Sequence, residues 1–81
     1  MKLPRDESGS SLTKRLKTFG YSVTRQTSSH IRLTTGIQGV HHITIPDHSP
    51  LRIGTLAGIL ADVATHFGLG KDALAERLFG K

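Results

Sequence analysis

The spacing of apolar residues changes period at Gly20–Tyr21 and changes back beyond Pro46 and Pro50. Before Gly20, Leu12, Leu16 and Phe19 recur at i, i+4 and i+7, one face of an amphipathic helix. From Tyr21 the period is two. Tyr21 and Val23 alternate with Ser22, Thr24 and Gln26, Ile31 and Leu33 with His30, Arg32 and Thr34, and Ile43 and Ile45 with His42 and Thr44. Beyond the prolines, Ile53, Leu56, Leu60, Val63 and Phe67 restore the helical period, widened by Ile59 and Ala64. Leu74 and Leu78 then mark a short helix over Lys71 to Phe79. One element cannot serve both periods. The chain therefore reads as α-β-β-β-α-α, an α+β fold with a three-stranded antiparallel sheet and helices on one face.

Local signals agree. Ser8, Ser10 or Ser11 can cap the first helix and Gly20 can stop it. The breaks at Ser28–Ser29 and Gly36 to Gly39 suit hairpins. Gly58 inside the long helix suggests close packing of helix on sheet. Pairing Leu33 with Ile43 and Ile31 with Ile45 puts the apolar residues on one face. That register sets His30 opposite Pro46, Thr34 opposite His42, Val23 opposite Leu33 and Gln26 opposite His30. The wet face then carries Gln26, His30, Arg32, Thr34, His42 and Thr44, and Arg25 falls outside it. The αβββα order is that of a double-stranded-RNA-binding domain.

Eighty-one residues make a single domain over 1–81 with a thin core. No cysteine is present, which rules out disulfides and thiolate metal sites and suits a reducing cytoplasm. The start, MKLPRDESGS, lacks the apolar h-region of a signal peptide, and no apolar run approaches the roughly 20 residues of a membrane span. Eleven Lys and Arg against six Asp and Glu give a net charge of +5, which favours a polyanionic partner, RNA first. Lys14, Arg15 and Lys17 lie away from the apolar stripe, on a solvated face that could also track phosphates.

Histidine is the side chain that titrates near neutrality unaided. His41 and His42 are adjacent on a strand and point to opposite faces, so they cannot share a metal ion, and no other metal-ligand spacing is present. The reading assigns no metal and no cofactor. His66, near a helix end, suits the helix dipole, and His41, on the apolar side, suits packing. His42 reads as solvated. His30 differs, because it follows Thr27-Ser28-Ser29 and stands near Arg25 and Arg32. RNA carries its own nucleophile, the 2′-hydroxyl, so one imidazole and nearby cations could suffice to cut it. From these residues alone, a catalytic His30 and a solvated His30 both stand.

The chain resembles the HicA (YcfA-like) toxin family over nearly its whole length. The resemblance is carried by Leu3-Pro4-Arg5, the helix with Leu12, Leu16 and Phe19 ending in Gly20-Tyr21, and Arg25-Gln26-x-x-Ser29-His30. It continues through His42-x-Thr44-Ile45-Pro46-x-His48, Leu51 and Gly54-Thr55-Leu56-x-x-Ile59-Leu60. It implies a messenger-RNA interferase of a type II toxin–antitoxin pair, cutting RNA without a metal and inhibited by a HicB-type antitoxin. It implies His30 as the catalytic histidine. Arg25, Ser29, Arg32, His48 and Lys14 are the candidate substrate contacts, and His48 could also move a proton. Ser28 stands where the family usually has Gly, and a turn needing positive φ would strain against its Cβ. A non-catalytic RNA-binding domain and a protein-interaction module are the competing readings.

Overall fold

A computed structural model describes residues 3–80. The elements are α1 (Gly9–Leu16), a 3-10 turn (Lys17–Phe19), β1 (Ser22–Gln26), β2 (His30–Thr35), β3 (His41–Pro46), α2 (Ile53–Phe67) and α3 (Lys71–Phe79). The sheet is antiparallel in the order β1-β2-β3. Its inner face presents Ile31, Leu33, Ile43 and Ile45 to Leu12 and Leu16 of α1, Leu56, Leu60 and Val63 of α2, and Leu74 and Leu78 of α3. The helices leave the other face open: His30, Arg32, His42 and Thr44 are exposed. No single helix is long and apolar enough to cross a membrane.

The β2–β3 register is the one expected, with Leu33 opposite Ile43, Ile31 opposite Ile45, His30 opposite Pro46 and Thr34 opposite His42. The β1–β2 register is not. Val23 does lie opposite Leu33, but a bulge between Val23 and Arg25 then shifts the ladder. Arg25 meets Arg32 and Gln26 meets Ile31, so Gln26 leaves the wet face and Arg25 joins it. Thr24 secures the bulge, its hydroxyl lying 3.0 Å from the Thr34 hydroxyl and donating to the Arg32 carbonyl at 3.4 Å. Val23 stays 43% exposed, because no helix covers the edge strand.

Ser8 is the N-cap of α1. Its hydroxyl accepts from the Ser11 N–H, and the Ser11 hydroxyl accepts from the Ser8 N–H, each at 3.0 Å. Gly20, at φ +82°, ends the 3-10 turn in the left-handed region. Close helix–sheet contact occurs at Gly9 rather than Gly58. A Cβ on Gly9 would collide with the Pro46 carbonyl oxygen, whereas one on Gly58 would meet nothing within 4 Å. Arg15 is not on a free solvated face: its Nε donates to the buried Glu7 at 2.9 Å, and its Nη1 donates to the Leu78 carbonyl at 2.8 Å, tying α1 to α3.

A polar chain joins Tyr21, just before β1, to β3 and α2 at the hairpin end of the sheet. The Tyr21 hydroxyl lies 2.7 Å from His41 Nδ1, and His41 Nε2 lies 3.1 Å from Asp62. His66 stacks on His41 at 4.4 Å, with its Nε2 2.9 Å from the Ile37 carbonyl. Both rings therefore pack, and His66 does so through His41 and Ile37 rather than through its helix terminus alone. Burial, and then the Asp62 charge, push the Tyr21 hydroxyl up to about 12. The folded state thus favours the neutral phenol. The stability this contributes is complete below the ordinary tyrosine value near 10 and is lost as pH rises through about 12. Chemical denaturation of wild type and Tyr21→Phe between pH 8 and 12 should show a steeper alkaline loss in the wild type. Parallel curves would remove Tyr21 from the alkaline transition.

Candidate functional site

His30 opens β2 from a tight turn. The Thr27 N–H donates to the His30 carbonyl at 2.9 Å, and the Thr27 hydroxyl accepts from the N–H groups of His30 at 3.2 Å and Ser29 at 3.4 Å. The turn is thereby closed by one side chain from within. Ser28 is not in the left-handed region, because Gln38 is the one non-glycine residue with positive φ among the described residues. The strain expected of a Ser at this position is therefore absent, and its Cβ is accommodated.

The His30 ring is exposed on the outer face, with Nδ1 3.0 Å from the Ser29 hydroxyl. Nε2 makes no hydrogen bond or ion pair with a described residue. When Nδ1–H donates to Ser29, Nε2 carries the lone pair and can accept a proton. Ser29 serves the turn through its backbone, its N–H donating to the Thr27 hydroxyl and its carbonyl accepting from the Asp47 N–H, while its hydroxyl engages the His30 ring.

The bulge sets Arg25 directly across from Arg32, which is next but one to His30 on β2. Like charges directly opposite on a sheet repel. Among the described residues neither guanidinium has an acidic partner; the ion pairs are Arg15 with Glu7 and His41 with Asp62. Two cations without an acidic partner, placed across from each other on one exposed face, are the kind of arrangement that an anion would stabilise.

His48 lies in the exposed turn after β3, two residues past Pro46, the cross-strand partner of His30. That turn is fixed at both flanks: the Asp47 N–H donates to the Ser29 carbonyl and the Gly9 N–H to the His48 carbonyl, each at 2.9 Å. Lys14 stands apart. With Lys17 it lines a groove of about 200 Å³ between α1 and β1, on the helix side of the sheet with Val23 and Gln26. A second cavity, about 390 Å³, lies beside the hairpin loop among Phe19, Ile37, Phe67 and Leu69, and none of the expected site residues lines it. The candidate site is thus an open surface, which suits a polymer better than an enclosed small molecule. Among the described residues no group of three or more His, Asp or Glu is placed to hold a metal ion.

Two features escaped sequence reasoning. The alignment of Arg25 with Arg32 depends on a bulge that burial does not dictate at an edge strand. The Thr27 hydroxyl anchor is local, and the short polar run Thr27-Ser28-Ser29 was its available signal.

Comparison with curated proteins and with solved structures gives no significant match. Residues 9–64 match the family described as HicA toxin of bacterial toxin–antitoxin systems. The matched segment runs from α1 through the whole sheet into α2 and includes the turn, the bulge and His30. With well over half of its length matched, the chain belongs to the HicA toxin family of bacterial toxin–antitoxin systems.

Proposed function

We propose that this toxin is an endoribonuclease that cuts messenger RNA in the cytoplasm, with His30 as its proton-transfer group and a HicB-type antitoxin as its inhibitor. The observation that supports it most is the free Nε2 of His30 on an open face beside the aligned Arg25–Arg32 pair. His30 Nε2 takes the proton from a ribose 2′-hydroxyl. The 2′-oxygen attacks the adjacent phosphorus, the bond from phosphorus to the 5′-oxygen breaks, and that oxygen leaves with a proton from the imidazolium or from His48. The ends are a cyclic 2′,3′-phosphate and a 5′-hydroxyl. Arg25 and Arg32 hold the non-bridging oxygens as their charge grows. Ser29 orients the ring through Nδ1. Lys14, round the edge of β1, contributes a phosphate contact away from the chemistry. The nucleophile comes from the substrate, so the scheme draws on no cofactor.

His30→Ala should abolish RNA cleavage, measured with EDTA present, by at least the roughly 10²–10⁴-fold typical of a lost general base. Its melting temperature and RNA affinity should persist, since the ring is exposed and makes one side-chain bond. Undiminished cleavage by His30→Ala would displace the site. RNA bound but never cut by the wild type would leave a non-catalytic RNA-binding domain.

Arg25→Ala and Arg32→Ala should each weaken RNA binding and lower the slope of log affinity against log salt by about one phosphate contact. Stability should hold or rise slightly, because a like-charged cross-strand pair is removed. An unchanged salt slope in both variants would take the guanidiniums out of substrate binding.

A further inference from the structure

His42 is the second imidazole on the outer face, and the scheme above leaves it without a task. It lies directly across from Thr34, whose hydroxyl is 2.8 Å from its Nδ1. The Thr34 hydroxyl is in turn 3.0 Å from that of Thr24, in the bulge. The arrangement repeats that of His30: a hydroxyl engages Nδ1, the residue is exposed, and Nε2 makes no hydrogen bond or ion pair with a described residue. Ordering two threonines and a histidine on a wet face does little for stability, since exposed hydrogen bonds exchange with those to water.

The surface between the two rings has a consistent character. From the His30 end it presents Arg32 with Arg25 and Thr44, then Thr34 with His42 and Ser22. The three strands contain no Asp or Glu. An outer face with two guanidiniums, two imidazoles, several hydroxyls and no carboxylate is a path for a phosphate backbone. Distance decides what His42 can do on it. Thr34 is four positions beyond His30, about 13 Å at ~3.3 Å per residue. Proton-transfer groups on one phosphodiester must each come within about 3 Å of its atoms. His42 cannot share the bond that His30 attacks, but it can reach a neighbouring nucleotide of the same strand.

We propose that His42, positioned by Thr34 and Thr24, is a second RNA contact, and that single-stranded RNA runs along the outer face from His30 past the Arg25–Arg32 pair to His42. The inference rests on the ribonuclease reading for the meaning of the His30 end. His42 Nε2 holds the backbone of a nucleotide outside the scissile step, so RNA long enough to span both rings binds better than RNA that fills only the His30 end.

The test compares wild type and His42→Ala on single-stranded oligoribonucleotides of increasing length, reading KM and kcat together with equilibrium affinity. For RNA that spans the face, His42→Ala should raise KM and weaken binding about tenfold, the scale of one charge-assisted hydrogen bond, at unchanged kcat. For the shortest RNA, KM and affinity should match wild type. Thr34→Val, which keeps the β-branched shape and removes the hydroxyl, should move KM in the same direction, and Thr34→Ser should restore it. Affinity for the long RNA that is unchanged in His42→Ala overturns the path, as does a fall in kcat on the shortest RNA. A wild type that binds RNA without cutting it defeats the ribonuclease reading alone, and the affinity series still decides the path.

Discussion

The burial of one face of a three-stranded sheet governs everything else in this molecule. Ile31, Leu33, Ile43 and Ile45 point inward against leucines of all three helices. All three helices of the described residues contribute leucines to that core, and the opposite face of the sheet stays exposed. Because strand side chains alternate, each residue committed to the core sends its neighbour into water. Ile31 and Leu33 thus force His30, Arg32 and Thr34 outward. Packing supplies the basic surface, and a one-residue slip in β2 would bury it.

Two local devices shape that surface around His30. The turn from Thr27 to His30 is closed by the Thr27 hydroxyl, which fixes where the His30 backbone enters the sheet, while Ser29 engages Nδ1. The bulge held by Thr24 brings Arg25 across from Arg32. Each device gives up something in the free protein: a ladder position in one case, like-charge repulsion in the other. In the proposed mechanism, a phosphodiester bridging the guanidiniums would offset the second cost. The other histidines divide by environment. His41 and His66 are tied to Asp62 and the Ile37 carbonyl at the hairpin end, where they help hold β3 against α2.

The parts of this arrangement that burial dictates were legible in the sequence. The β2–β3 register follows from four aliphatic residues that admit one shared face, and the bounds of α3 from its spacing of Leu74 and Leu78. What burial leaves free was not legible. β1 is an edge strand exposed along its length, so nothing in its apolar pattern marks the bulge, and Arg25 and Gln26 exchanged faces. Gly58 looked like a packing residue and faces open space, while Gly9 makes the close contact, which depends on where the end of β3 passes α1. The Tyr21–His41–Asp62 chain joins residues about twenty positions apart and has no sequence signature. His30 stood out through its motif. Arg32, Thr34, His42 and Thr44 followed from the alternation of β2 and β3, and Arg25 alone came to the face through the bulge.

In the proposed mechanism His30 Nε2 and the two guanidiniums share one phosphodiester. Nitrogen-detected NMR of the five imidazoles and of the arginine side chains, during titration with an RNA whose 2′-hydroxyl at the scissile step is replaced by hydrogen, reads this directly. The His30 Nε2, Arg25 and Arg32 signals should move together at one affinity, with His41 and His66 unmoved. Signals of His30 that stay fixed while RNA saturates the protein, or that move without the two arginines, would contradict it.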